Sequence, residues 1–139
     1  MLPEESRIKP NTVKEDRLIK YIHAHQLTSV MNNTKWRELT EELTSNPGFQ
    51  PQVRVKYLLI EAEYKFTHID WELIWHGDGQ YIEWMDIDPI RRDRSGRLVK
   101  GLETDFTPWL KQALQKHSIP FLEDDGIFRI YGYLRPNGN

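Results

Sequence analysis

The feature that most constrains the fold is a change of hydrophobic period near residue 50. Up to Leu43, apolar side chains recur every three or four positions, as on a helix with one buried face; from Val53 they alternate, as on a strand whose successive side chains point to opposite faces. The helical spacing returns after Thr107, so helices must pack against a sheet. At 139 residues the chain has the length of one domain, and its five Trp, six Tyr and five Phe can supply much of a core. The reading is α+β: two N-terminal helices, an antiparallel three-strand meander, one helix, and a C-terminal strand pairing with the sheet, with the helices packed on one sheet face. Residues 12–135 are expected to form the domain, with residues 1–11 and 136–139 as flexible ends.

Local signals place the elements. Thr12 with Glu15 three positions on reads as a capping box, and Leu18, Ile22 and His25 form one stripe of a helix over 13–27. A second helix starts around Thr34, with Trp36, Leu39 and Leu43 on its buried face, and Asn46-Pro47-Gly48 ends it. Val53, Val55, Tyr57 and Leu59 alternate with Arg54 and Lys56 in a first strand. Over 66–76, Ile69, Trp71, Leu73 and Trp75 alternate with His68, Asp70, Glu72 and His76, which predicts a second strand with Trp71 and Trp75 in the sheet core and with Lys56 opposite Asp70 and Arg54 opposite Glu72. Gly77-Asp78-Gly79 reads as the hairpin turn into a third strand over 81–87, stopped by Asp88-Pro89. Arg94-Ser95-Gly96-Arg97 reads as an exposed turn. Thr107 as cap and Pro108 at the first helical position predict a helix to about Lys116, and Asp124-Asp125-Gly126 turns the chain into a last strand over 127–134.

The net charge of −2 conceals an asymmetry. Residues 61–88 hold Glu61, Glu63, Asp70, Glu72, Asp78, Glu83, Asp86 and Asp88 against Lys65, a sum of −7, and residues 89–101 sum to +4. This distribution disfavours a nucleic-acid partner, which selects excess positive charge on one face, and favours a basic protein partner. With no Cys, disulfide and thiolate chemistry are excluded. No apolar run approaches the ~18 residues of a membrane helix. The first eleven residues carry acids and two prolines where a signal peptide is basic and then apolar, which predicts a cytoplasmic protein.

No motif names a reaction or calls for a cofactor. His68, Asp70, Glu72 and His76 are ligand types, but on an extended strand the two histidines would lie about 26 Å apart, too far to share a metal. His23 and His25, two apart on a helix, face different ways. Asp86 and Asp88, with Glu83 and Asp93 nearby, could hold Mg²⁺ in a phosphoesterase or nuclease while Arg91 or Arg92 grips phosphate, but no flanking His or Lys completes a catalytic set. The favoured reading is a non-enzymatic binding protein that offers an acidic surface of Asp78, Glu83, Asp86 and Asp88 to a basic partner, with Trp84 as an aromatic contact; a homo-oligomer stays open.

Three stretches carry a resemblance: Met31-Asn32-Asn33-Thr34-Lys35-Trp36-Arg37-Glu38-Leu39, His76-Gly77-Asp78-Gly79, and Tyr81-Ile82-Glu83-Trp84-Met85-Asp86-Ile87. In these the chain resembles a family of small uncharacterised bacterial proteins, a domain of unknown function, over roughly residues 31–135. The resemblance implies a bacterial cytosolic protein with no assigned activity and no catalytic residues to carry over, and it offers Met31 as an alternative start of the family core. The Trp-rich, locally acidic α+β composition is also similar to immunity proteins that neutralise bacterial toxins.

Overall fold

A computed structural model describes residues 10–93 and 101–138. The chain is α+β, built on a four-stranded antiparallel sheet of β2 (Val53–Tyr57), β3 (Ile82–Ile87), β7 (Ile127–Tyr131) and β6 (Leu122–Asp124), in the spatial order β2-β3-β7-β6. Register is set by cross-strand apolar pairs: Val53 lies opposite Ile87, Val55 opposite Met85, and these β3 residues lie opposite Phe128 and Ile130 of β7. Their common face is the inner one. It shares a core with Trp36, Leu39 and Leu43 of α2 (Asn33–Ser45), Ile74 of α3 (Trp71–Trp75), and Leu110 and Leu114 of α4 (Thr107–Lys116). Phe49 stacks on Phe106 at 4.5 Å between ring centroids and meets the edge of Trp109, closing one side of that core.

A smaller cluster lies beside it. α1 (Pro10–His25) begins two residues before the expected cap at Thr12 and ends where Gln26 takes a positive φ of 52°, with Leu27 donating back to the Ile22 carbonyl. Leu18 and Leu27 then pack with Leu58, Tyr81 and Tyr133. Two short strands, β1 (Thr28–Ser29) and β8 (Tyr133–Leu134), pair beside this cluster. The expected last strand is thus split at Gly132. A Cβ there would stand 2.1 Å from the Ile82 carbonyl oxygen, so only glycine permits the approach at which Gly132 donates to Glu83 and accepts from Val30.

The meander expected over 53–87 is not formed. Residues 71–75 are helical, and among the described residues the segment 66–76 pairs with the sheet backbone only through a bridge between Thr67 and Val53. The Asp70 side chain caps α3 by accepting from the Glu72 N–H at 3.0 Å, and Trp71, Ile74 and Trp75 have the i, i+3, i+4 spacing of one helix face. Ile74 is 2% exposed, whereas Trp75 is 37% and Leu73 55% exposed, so Trp75 is not sheet core and Trp71 only packs partly buried against it. Gly77, at φ 109°, leads from α3 into a 3-10 turn over Asp78–Tyr81 instead of closing a hairpin. β2 consequently pairs with β3, and Arg54 lies opposite Asp86, not Glu72, with Lys56 opposite Trp84, not Asp70.

The basic stretch after Pro89 begins as a strand. β4 (Ile90–Asp93) pairs with β5 (Leu102–Asp105) as a ribbon outside the main sheet. The turn expected at Arg94-Ser95-Gly96-Arg97 lies outside the described residues, as does most of the N-terminal stretch 1–11. α4 ends at Lys116 as expected, with Pro108 in its first turn; Thr107 is its first helical residue and not its cap, which is Phe106, and the Thr107 N–H donates to the Asp105 carboxylate. Among the described residues no helix is long and apolar enough to cross a membrane.

Candidate functional site

The outer face of the sheet, opposite the helices, carries the unusual chemistry. Alternation in β2 and β7 puts Arg54, Lys56, Arg129 and Tyr131 there, and β3 adds Trp84 and Asp86 between them. Asp86 is 1% exposed. One carboxylate oxygen accepts from Arg54 at 2.9 and 3.1 Å, and Arg129 bonds in a fork across both oxygens at 2.6 and 2.9 Å. Hydrogen bonding to Asp86 holds the Arg129 guanidinium well above the ordinary arginine value, against the opposing effect of burial. The Arg129 guanidinium also stacks 3.9 Å from the centroid of Trp84, whose ring lies 5.6 Å from Tyr64, and Arg54 sits 4.6 Å from Phe66. A buried carboxylate thus fixes two arginines and the aromatic side chains around them.

Glu83 is the second buried acid, 3% exposed. The pairing of Lys56 with Trp84 and of Tyr57 with Ile82 makes Glu83 the extra residue of a β-bulge, which lets Ile82 and Met85 both reach the inner core. Its carboxylate binds Arg135 in a fork at 2.8 and 3.0 Å and Lys56 at 3.2 Å. Burial works to raise this carboxyl; the bonds from Arg135 and Lys56 overcome that and hold it below the ordinary glutamate value.

These placements revise the expected acidic surface. Glu83 and Asp86 are buried and ion-paired inside the fold, and Asp88 accepts from the Ile90 N–H and pairs with Arg92 at 2.7 Å. Asp78 lies in the 3-10 turn, close enough to Tyr57 and Tyr81 for its charge to raise both phenols further than burial already does. Trp84 is half-buried in the stack. Asp86 and Asp88, the candidate metal ligands, both have their oxygens engaged by protein donors, and no group of three or more ligand side chains is positioned for a metal among the described residues. Arg91 donates to the Gly48 carbonyl and pairs with Asp93, so Arg91 and Arg92 are both engaged within the fold. His76 pairs with Glu72 on exposed α3.

Beside the Arg54–Asp86–Arg129 set lies a depression of about 320 Å³, closed on its far side by Asp124 and Asp125 and floored by Leu122, Ile127 and Tyr131. Across Leu122 and Tyr131 it adjoins an apolar groove of about 210 Å³ formed with Val30, Pro120, Phe121 and Leu134. A further cleft of about 340 Å³ between α2 and residues 68–71 has His68 as its only titratable lining residue, so it holds no acid–base pair. Sequence reasoning missed Arg129, Asp124 and Asp125 as site residues. The one available signal was alternation, which sets Arg129 apart from Phe128 and Ile130; the strand that brings it to Asp86 is 43 residues away.

The model of a family described as a family of unknown function (DUF6678) matches residues 18–137. No curated protein and no solved structure matches the chain.

Proposed function

We propose that this chain, which belongs to the family of unknown function DUF6678, is a non-enzymatic protein-binding module that docks its partner on the helix-free outer face of its sheet. The observation that carries the reading is Asp86 with its two arginines. Burying a carboxylate and holding two guanidiniums against it is no cheaper than an apolar pair would be, so such a set is better explained by what it positions than by stability. What it positions is a surface of Arg54, Arg129, Trp84 and Tyr131 beside two depressions. A face with fixed charges and aromatic side chains but no acid–base pair or metal ligand set suits recognition more than catalysis. Immunity against a toxin is the narrower form of the same reading; it rests on composition, since Glu83 and Asp86 of the acidic stretch 61–88 are buried and paired.

The test is site-resolved crosslinking in lysate of the native host. A photoreactive residue in place of Tyr131 or Leu122 is expected to give one defined adduct, and the same residue in place of Ile19 of α1 or Leu73 of α3, each more than half exposed, none. Adducts from Ile19 or Leu73 but not from the sheet face would overturn the assignment. Charge reversal at Glu83 or Asp86 is no test of docking, because both acids are buried and ion-paired and their reversal is expected to disrupt the site itself.

A further inference from the structure

We infer that the open edge of β6 takes an extended segment of a partner protein as a fifth strand, and that this segment carries an apolar side chain and a Lys or Arg two residues apart. The inference rests on the outer face being the docking surface and names what binds there. Among the described residues β6 pairs only with β7, and all three of its residues are exposed. The hairpin turns on Asp125 (φ 51°) and Gly126 (φ 76°), so Asp124 and Ile127 are the hydrogen-bonded pair that closes it. The alternation of an antiparallel ladder then turns the Glu123 N–H and C=O outward, toward an incoming strand.

Side chains along this edge set the chemistry of the occupant. Glu123 points inward and pairs with Lys111 of α4 at 3.4 Å, while Leu122 and Asp124 point to the outer face. Leu122 and Tyr131 line both the apolar groove and the charged depression, so the two adjoin, and side chains i and i+2 of one strand, about 7 Å apart on one face, suit a pair of adjoining sites. The groove has room for one aliphatic side chain. The depression holds three carboxylates against two guanidiniums, a sum of −1, and both guanidiniums are committed to Asp86. Asp124 and Asp125 have no ion-pair partner among the described residues. A cation from the incoming strand supplies one. A second copy of β6 does not fit, since its Glu123 and Asp124 would meet the same acids.

The experiment is selection of a random seven-residue peptide display library on the full chain, followed by affinity and backbone-amide chemical-shift measurements with the enriched peptides. Enrichment of apolar-x-Lys or apolar-x-Arg sequences is expected, with the largest shift at Glu123. Affinity should fall at least about tenfold in Asp124→Asn with Asp125→Asn, which removes both charges and keeps a residue that tolerates positive φ. Absence of any enriched peptide, enrichment of acidic peptides, or affinity in the double variant within about twofold of the parent would overturn the inference. The two readings separate by location. Peptides that shift Lys56, Trp84 and Tyr131 but not Glu123 remove the strand and keep the docking face, whereas shifts confined to the solvent side of α1 or α2 remove both.

Discussion

At the scale of single residues, Asp86 is where a substitution should do most. Asp86→Ala leaves Arg54 and Arg129 facing each other across a buried gap, and loss of one member of a buried ion set costs roughly 3–5 kcal/mol. Both arginines are about one-third exposed, so water offsets part of this, and a loss of about 2–3 kcal/mol in urea unfolding is expected. A loss under about 0.5 kcal/mol, the ordinary range for surface changes, would mean that the set is not a structural unit. Gly132→Ala should be comparably harmful for a different reason, because the added methyl must displace the Ile82 carbonyl; an increase in unfolding rate is its simplest readout.

At the scale of elements, α2 and α4 are joined by ionisable groups. Glu42 accepts from Lys116 at 2.7 Å and contacts His117 at 2.8 Å, while the other ring nitrogen of His117 faces Glu38 at 3.0 Å. The bonds from Lys116 and His117 hold the Glu42 carboxyl below its ordinary value despite partial burial. A carboxyl depressed in the folded state adds stability that is complete above its unfolded pKa of about 4.3 and is lost as pH falls through the lower folded value. Glu83 acts in the same direction. Unfolding midpoints are therefore expected to drop steeply below about pH 4.5, and Glu42→Gln should flatten part of that slope; an unchanged profile in the variant would place the acid sensitivity elsewhere. The element scale is also where the sequence was read best and worst. α2 and α4 were legible because their evidence is local: Pro108 marks the start of α4, and Trp36, Leu39 and Leu43 mark the buried stripe of α2, whose cap Asn32 was not read. α3 was mistaken for a strand because four alternating apolar residues outweighed Ile74, which breaks that alternation, and Asp70, which caps. With α3 misread, Arg54 acquired a false partner in Glu72. The burial of Asp86 and Glu83 was missed for a related reason, since it follows from β2 and β7 flanking β3, a long-range fact that charge counting over 61–88 does not contain.

At the scale of the whole molecule, the sheet has two edges: β2, which Thr67 bridges at Val53, and β6, which no strand among the described residues covers. An edge of unpaired backbone groups pairs with copies of itself unless something opposes this, and charge is the common means. On β6 the opposing charges are Glu123, Asp124 and the turn residue Asp125; in an antiparallel pair of identical edges, Glu123 would stand opposite or diagonal to its copy. The same acids that select a basic strand therefore exclude a second copy, so one feature serves both binding and solubility. The parent chain is expected to sediment as a monomer. Replacing Glu123 and Asp124 together with Thr keeps strand propensity, removes the repulsion and leaves Leu122 and the apolar groove exposed, so E123T/D124T should form dimers whose fraction rises with concentration in sedimentation velocity. A parent that dimerises as readily as this variant would show that these acids do not guard the edge, and would move the basis for a basic partner away from β6.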